Sequence, residues 1–128
     1  MARILVVDDT DSALDLIGYL LKARDHDAVF ARNGQDAVEI ALDSMPDLIL
    51  MDIQMPGMDG YEALETIRRE AQDGVCPVLA LTAFAVVGER AKALAAGFDG
   101  FFSKPIAPET FMDQLEAFLD REMRGSMA

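Results

Sequence analysis

Residues 4–9 read ILVVDD, an apolar run that stops at two adjacent aspartates, and this stretch decides the fold. A short apolar run of this kind is typical of a strand buried on both faces of a parallel sheet. The pattern recurs in LILMD at residues 48–52, in VLALT at residues 78–82 and in FFSKP at residues 101–105. Because the carboxyl ends of the strands in an open parallel sheet lie along one edge, we expect the polar residues that end these runs to meet there.

Helix-forming patterns fill the segments between the apolar runs. After the first run, Leu14, Ile17 and Leu21 recur at helical spacing, and Thr10 or Asp11 precedes them as an N-cap. A second strand is predicted at residues 28–31, where an Asn-Gly turn closes it. The remaining helices are predicted to end before Pro46, to follow Gly60, to run from about Val87 to Ala96, and to begin at Pro108.

Strands that alternate with helices of this length predict an α/β fold, in which one parallel sheet is covered by helices on both faces. Five strands fit the flavodoxin-like order 2-1-3-4-5. The switch point of that order lies between the first and third strands, and ligands bind at such a point. Asp8-Asp9 and Asp52 end those two strands, so the topology and the acidic residues predict the same site.

The bulk properties of the chain exclude several classes of function. Its 128 residues carry a net charge of -12, which argues against binding to nucleic acid or to an anionic membrane surface. Cys76 is the only cysteine, expected to be a small buried residue, and it allows no internal disulfide or thiolate metal cage. The sequence has no signal-peptide pattern and no apolar stretch near the ~20 residues of a membrane span. We therefore expect one soluble, cytoplasmic domain.

The expected cluster of Asp8, Asp9 and Asp52 favours a divalent cation. Two unit charges about 4 Å apart repel by about 4 kcal/mol at an effective dielectric constant near 20. Three close carboxylates must therefore protonate, stay solvated or hold a cation. Oxygen donors without His or Cys select Mg²⁺, with Mn²⁺ as an alternative, rather than zinc. Because Mg²⁺ also takes phosphate oxygens, the same site suits a phosphoryl group.

A phosphoryl group at this edge of the sheet would meet three candidate residues. Asp52 stands alone on the central strand, before a loop rich in turn residues, and is the predicted nucleophile that forms an aspartyl-phosphate. Thr82 is predicted to hydrogen-bond one phosphoryl oxygen, and Lys104 is predicted to pair with another.

These motifs, taken together, resemble the receiver domain of two-component response regulators. The resemblance rests on residues that occur in a fixed order and spacing: Asp8-Asp9, Asp52, the MPGMDG loop at residues 55–60, Leu81-Thr82-Ala83 and Lys104-Pro105. It covers the chain from Ile4 to about Leu119. Each motif alone is weak, whereas all of them in register are very specific.

The resemblance implies how the metal would be held. Asp9 and Asp52 would bind Mg²⁺ directly, and Asp8 would act on the ion largely through water. The backbone carbonyl of Gln54 would complete the protein ligands. Asp52 would accept the phosphoryl group.

The resemblance also implies a switch. Thr82 and Lys104 would contact the phosphoryl group, and Thr82 would vacate space by moving toward it. Phe101, three residues before Lys104, matches the family's switch aromatic and would fill that space. The surface of the fourth helix and the last strand would then change for protein partners. The family often has Tyr at this position, so a switch through Phe would depend on ring packing alone.

A member of this family would work in a two-component system or phosphorelay. Its phosphodonor would be a histidine kinase or a histidine phosphotransfer protein, and it would signal as a monomer or a weak phosphorylation-dependent dimer. We do not expect an enzyme, because self-phosphorylation and autodephosphorylation turn over no external substrate. We assign residues 1–121 to the receiver domain and residues 122–128 to a short C-terminal tail that need not be ordered.

Other interpretations remain open from the sequence alone. Asp9-Thr10-Asp11-Ser12 suggests a phosphatase of the haloacid dehalogenase type, but the glycine usual after the second aspartate is absent and Asp52 is left unexplained. The same fold without phosphorylation would be a constitutive scaffold. A third alternative is a receiver excised from a hybrid histidine kinase or larger regulator, although Met1, just before the first strand, favours a free-standing protein.

Individual residues also have ordinary structural interpretations. Alone, Asp8-Asp9 would favour a turn and helix cap, and Lys104 would favour a solvated surface lysine. Phe101 and Phe102 face opposite sides of a strand, so one of them is expected in the core. His26 lies in a polar turn and is predicted to be solvated, without an acidic partner.

Overall fold

The computed structural model describes residues 2–55, 57–71, 76–82, 88–104 and 106–127. The predicted start of the fourth helix at Val87 lies outside these residues, as do three residues of the quoted motifs, namely Pro56, Ala83 and Pro105. Within the described part of the chain, no helix is both long enough and apolar enough to cross a membrane.

Strands and helices alternate along the described chain, as the sequence predicts. The elements are β1 (Arg3–Val7), α1 (Asp11–Ala23), β2 (Asp27–Ala31), α2 (Gly34–Ser44), β3 (Leu48–Asp52), α3 (Gly60–Glu70), β4 (Val78–Thr82), α4 (Glu89–Ala96), β5 (Gly100–Ser103) and α5 (Pro108–Met127). The strands form one parallel sheet in the order β2-β1-β3-β4-β5, which confirms the predicted topology. The carboxyl ends of the strands therefore lie along one edge, with β1 beside β3.

A hydrophobic core on each face of the sheet explains why the strand sequences are apolar without alternation. Successive strand residues point to opposite faces, so that Ile49 lies in one core and Leu50 in the other. Residues of α2, α3 and α4 cover the first face, and residues of α1 and α5 cover the second. All residues of β3 and β4 are buried, so these two strands give the site that follows them a rigid base.

Helix boundaries follow local signals in the sequence. The side chain of Asn33 caps α2 by accepting a hydrogen bond from the backbone N–H of Asp36 at 2.8 Å. Asp59 caps α3 in the same way, through the backbone N–H of Glu62 at 2.9 Å. Gly97 follows α4 with a left-handed φ of 112°, which confirms the predicted glycine stop.

Helix α5 begins at Pro108, as predicted, and continues to Met127. It packs on the sheet through Phe111 and Leu115, which are almost fully buried. The helix includes most of the residues that we assigned to a tail. The division between a receiver domain at residues 1–121 and a tail at residues 122–128 stays a prediction.

The prediction that His26 is solvated is wrong. Its side chain is only 7% exposed and joins Ala2, the residue before β1, to α5. Nδ1 accepts a hydrogen bond from the backbone N–H of Ala2 at 3.1 Å, and Nε2 lies 2.9 Å from a carboxylate oxygen of Glu116. Arg24 contacts both Glu116 and Asp113, which extends the network. Ala2 and Glu116 lie 24 and 90 residues from His26 along the chain, so no local pattern in the sequence points to them.

The thiol of Cys76 lies partly buried against the first core, just before β4. Burial raises the pKa of the Cys76 thiol to about 11. Because the thiolate is the reactive form, this cysteine is a weak nucleophile at neutral pH. It behaves as the packed residue that the sequence predicts.

We expect the substitution His26→Ala to lower the free energy of unfolding by about 1–3 kcal/mol, because it leaves polar groups of Ala2 and Glu116 without their partner. Urea denaturation of both proteins at pH 7 measures this difference. Lys22→Ala, an exposed position of α1, is the matched control and should change the free energy little. Equal effects of the two substitutions would contradict a structural role for His26.

Candidate metal centre

The structure brings the polar residues at the carboxyl ends of β1, β3, β4 and β5 to one edge of the sheet. Backbone hydrogen bonds continue the strand pairing past the strand ends: the N–H of Asp8 donates to the last carbonyl of β2 at 3.1 Å, and the N–H of Lys104 donates to the carbonyl of Thr82 at 2.7 Å. Carboxylate oxygens of Asp8, Asp9 and Asp52 lie within 4.8 Å of one another. The predicted acidic cluster is therefore present.

Asp8 is the most deeply buried acid of this cluster, with 0% of its surface exposed. Its Oδ1 accepts two hydrogen bonds from Thr10, from the hydroxyl at 2.5 Å and from the backbone N–H at 2.9 Å. Its Oδ2 lies 2.5 Å from Nζ of Lys104. Burying a carboxylate without polar partners costs free energy. Here each oxygen of Asp8 has a partner, Thr10 at Oδ1 and Lys104 at Oδ2.

Asp52 ends the central strand β3 and is 4% exposed. Its Oδ1 accepts a hydrogen bond from the backbone N–H of Gln54 at 3.0 Å, and its Oδ2 accepts one from Nζ of Lys104 at 3.2 Å. Burial raises the pKa of the Asp52 carboxyl above its ordinary value; Lys104 opposes that shift, and the charge of Asp8 adds to it. The net increase means that the site disfavours the Asp52 anion.

The single ammonium group of Lys104 contacts two carboxylates, those of Asp8 and Asp52. Burial lowers the pKa of Lys104, but the hydrogen bonds and charges of Asp8 and Asp52 together raise it above its ordinary value. The lysine is therefore held in its charged form. Two carboxylates against one ammonium leave an excess of negative charge at the sheet edge, to which Asp9 adds.

Asp9 and Gln54 are the exposed members of the predicted metal site. Asp9 lies within the acidic cluster, and the backbone of Gln54 is tied to Asp52 through its N–H. Direct coordination by Asp9, by Asp52 and by the carbonyl of Gln54 stays a prediction, as does the indirect role of Asp8.

The hydroxyl of Thr82 supplies an independent sign that the site takes a ligand. Thr82 is 3% exposed, and among the described residues its Oγ1 has no hydrogen-bond partner. A buried polar group without a partner costs about 1–3 kcal/mol. A phosphoryl oxygen in the site would satisfy this hydroxyl, and the carboxylate oxygens nearby suit Mg²⁺. The residues present therefore fit both groups.

A close backbone contact fixes the loop that follows Asp52. The N–H of Gly60 donates to the carbonyl of Ile53 at 3.0 Å, and a Cβ at Gly60 would lie only 2.5 Å from the carbonyl oxygen of Asp52. A side chain at this position would clash with the backbone of Asp52, which cannot move without distorting the strand end, so the position requires glycine. The sequence predicts that a helix follows Gly60, but the contact with Asp52 depends on the tertiary structure.

The two aromatic residues of β5 lie on opposite faces of the sheet, as predicted. Phe102 packs in the core with α1 and α5, where its ring meets that of Phe111 edge to face at 4.8 Å. Phe101 is half-buried against the opposite core and pairs in register with Ala80 of β4. Its predicted role as a switch stays a prediction.

Thr10 is the site residue that the sequence argument misses, because it is predicted only as a helix cap. Its backbone N–H and hydroxyl both bind the aspartate two positions earlier. An aspartate that accepts a hydrogen bond from the N–H two residues on is an Asx-turn, and this local signal is available in the sequence.

Comparison with known proteins agrees with these observations. The sequence profile of the response regulator receiver domain matches residues 4–116. The polar-differentiation response regulator DivK of Brucella anthropi is 32% identical over 116 residues, which make up 91% of this chain and 94% of the relative.

Solved structures with the same fold include two informative relatives. The chemotaxis protein CheY4 of Vibrio cholerae superposes with a TM-score of 0.85 at 30% identity, over 92% of this chain and 98% of that chain. The receiver domain of a sensor histidine kinase of Pseudomonas aeruginosa gives a TM-score of 0.83 at 31% identity, over 93% and 98%. That structure was determined with a magnesium ion coordinated in its active site cleft.

We expect Asp52→Asn to stabilise the metal-free protein at pH 7, because it removes a charge that the site disfavours. The raised pKa means that the folded chain binds the Asp52 proton more tightly than the unfolded chain does. Stability is therefore lost as pH rises through the window between the unfolded and folded pKa values, and the variant avoids this loss. Thermal unfolding should give a melting temperature a few degrees higher for the variant at pH 7.

The difference between wild type and Asp52→Asn should shrink as the pH falls below about 3.9, the ordinary pKa of an Asp carboxyl, because the group is then mostly protonated in both the folded and the unfolded chain. Asp43→Asn, on the exposed face of α2, is the matched control and should not show this pH dependence. A stability gap that is constant with pH would contradict the electrostatic account.

We expect Mg²⁺ to raise the stability of the wild-type protein by relieving repulsion among the three carboxylates. At ten times the dissociation constant, the gain is about 1.4 kcal/mol. Thermal unfolding across a Mg²⁺ titration measures this effect, and Asp52→Asn should respond less. If millimolar Mg²⁺ leaves the wild-type melting temperature unchanged, the cluster is not a cation site.

Proposed function

The chain belongs to the response regulator receiver domain family, and we propose that it accepts a phosphoryl group on Asp52 from a histidine kinase or a histidine phosphotransfer protein. One observation carries the proposal: Asp52 is a buried carboxylate at the end of the central strand, 3.2 Å from Lys104 and inside a cluster with two more acids. A carboxylate in this position can act as a nucleophile when nearby cations offset the charge of the incoming phosphoryl group.

In the proposed transfer, one carboxylate oxygen of Asp52 attacks the phosphorus of a phosphohistidine. The phosphorus–nitrogen bond breaks, and the imidazole leaves and takes a proton from solvent. Lys104 pairs with one oxygen of the transferred group, and the hydroxyl of Thr82 donates a hydrogen bond to another. The protein contributes mainly position and charge, as is general for phosphoryl transfer.

The proposal assigns the metal to residues that the structure groups at the same edge. Asp9, Asp52 and the carbonyl of Gln54 would hold Mg²⁺, or Mn²⁺ in its place, and Asp8 would act through water. When bound, the ion would neutralise negative charge on the transferring group. The oxygen-only donor set of the acidic cluster supports this assignment.

Phosphorylation is proposed to change the surface formed by α4 and β5. The new group adds about −1.5 to −2 charges beside Lys104 and Thr82. Thr82 would move toward the phosphoryl oxygens, and Phe101, which pairs in register with the strand that Thr82 ends, would follow into the vacated space. Phosphate shifts this balance only by its differential affinity for the two states.

The wider role follows from the family. We propose a cytoplasmic component of a two-component system or phosphorelay that signals by protein contact, as a monomer or a weak phosphorylation-dependent dimer. Apart from phosphorylating and dephosphorylating itself, the chain is proposed to have no enzymatic activity. The chain covers 94% of the DivK relative, which supports a single-domain regulator.

The alternatives from the sequence differ in their support. A 31% identical relative is the receiver domain of a sensor histidine kinase, which supports a receiver from such a protein as the second candidate. The acidic cluster counts against a scaffold that is never phosphorylated. A phosphatase of the haloacid dehalogenase type loses support because Asp11 is exposed and pairs with Arg32 rather than with the cluster.

We expect acetyl phosphate with Mg²⁺ to add the mass of one phosphoryl group to the wild-type protein and none to Asp52→Asn. Intact mass spectrometry measures both. Asp43→Asn, an exposed acid of α2, serves as the matched control and should be modified like wild type.

An adduct on Asp52→Asn would contradict the assignment of the acceptor. If the wild type gains no mass, a phosphorylated histidine phosphotransfer protein should be tried as the donor. Failure with both donors would favour the constitutive scaffold.

A further inference from the structure

We propose that Thr10 is a positioning residue of the metal centre, whose hydroxyl holds one oxygen of Asp8 so that the other faces Lys104 and can act on the cation through water. The proposal rests on the proposed function only in taking Mg²⁺ as the cation. It concerns a residue outside the acceptor, the predicted ligands and the predicted switch.

The two carboxylate oxygens of Asp8 have different partners. Oδ1 receives both donors of Thr10, the hydroxyl at 2.5 Å and the backbone N–H at 2.9 Å. Oδ2 is left for Lys104, whose Nζ lies at 2.5 Å. A hydroxyl that donates to a carboxylate forms a short, charge-assisted hydrogen bond, about twice as strong as a neutral one. The side chain of Asp8 is therefore held in one rotation.

The hydroxyl of Thr10 binds Asp8 and, in the part of the chain that the structure describes, does not make the helix-capping hydrogen bond that is usual at its position. Thr10 is the N-cap of α1, with extended φ and ψ of −104° and 128°. A threonine there ordinarily accepts a hydrogen bond from a backbone N–H of the first turn, which stabilises the helix by about 1 kcal/mol. Within the described chain its side chain makes no such bond, whereas Asn33 and Asp59 do cap α2 and α3.

This contrast separates a positioning role from an ordinary helix cap. The side chains of Asn33 and Asp59 accept hydrogen bonds from the first turns of α2 and α3, whereas the hydroxyl of Thr10 donates to Asp8. The backbone N–H of Thr10 reaches the same oxygen, so removing only the hydroxyl would leave Asp8 with a single donor on Oδ1. Asp8 would then rotate more freely, and fewer of its conformations would place Oδ2 where it can bind water held by the cation.

The test compares Thr10→Val, which removes the hydroxyl and keeps the shape, with Thr10→Ser, which keeps a hydroxyl. Thr66→Val is the matched control, because the Thr66 hydroxyl bonds a backbone carbonyl within α3 at 2.9 Å, outside the site. Mg²⁺ affinity is measured by titration calorimetry on each full-length protein. The side-chain carboxyl carbon signals are compared by NMR at one pH in the absence of metal.

We expect Thr10→Val to raise the Mg²⁺ dissociation constant about tenfold, the lower end of the range for groups that orient metal ligands. Thr10→Ser should restore affinity close to wild type, and Thr66→Val should not change it. In metal-free protein, Thr10→Val should shift the Asp8 carboxyl signal and Thr10→Ser should not.

A lower melting temperature for Thr10→Val with an unchanged Mg²⁺ dissociation constant would overturn the proposal and leave Thr10 as a helix cap. Tighter Mg²⁺ binding by Thr10→Val would overturn it as well. If the wild type itself fails to bind Mg²⁺, the proposed metal site fails, and the NMR comparison alone decides on Thr10. An unmoved Asp8 signal in that comparison overturns the positioning role.

Discussion

The ammonium group of Lys104 lies between Asp8 and Asp52, and among the described residues it is the only cation within 4 Å of either carboxylate. Asp8 follows β1, Asp52 ends β3, and Lys104 follows β5, so this one group links three strands at the edge of the sheet. Because two buried acids share it, neither is fully compensated. The resulting excess of negative charge supports the proposal that the site holds a cation. In the proposed phosphorylated state, the new anion on Asp52 would draw Lys104 toward it. Because Lys104 directly follows β5, this movement would reach the β5 surface.

The parts of the fold that sequence predicts well are those fixed by local pattern and by general topology. The runs that became β3 and β4 are apolar throughout, because a core lies on each face of the sheet. Once five such strands alternate with helices, the rule that ligands bind beyond the carboxyl ends places Asp8 and Asp52 together without further information. The acidic cluster was predictable for that reason.

The features that sequence does not predict depend on contacts between distant segments. His26 lies in a polar turn, yet its partners are Ala2, which precedes β1, and Glu116 in α5. The need for glycine at Gly60 arises from the carbonyl of Asp52, which only the folded loop brings close. Thr10 is different, since its link to Asp8 is local. A threonine before a helix has two competing uses, and sequence alone does not say which one the fold selects.

The burial of Cys76 has a practical consequence for spectroscopy. A thiol with a pKa of about 11 is ionised at pH 7 in roughly one molecule in ten thousand. A cysteine introduced on the surface, with a pKa near 8.5, would present about 300-fold more thiolate to a maleimide dye. The native cysteine can therefore stay in place while a fluorophore is attached elsewhere. A dye attached to α4 would then report movements of that helix in a protein whose core still contains the native Cys76.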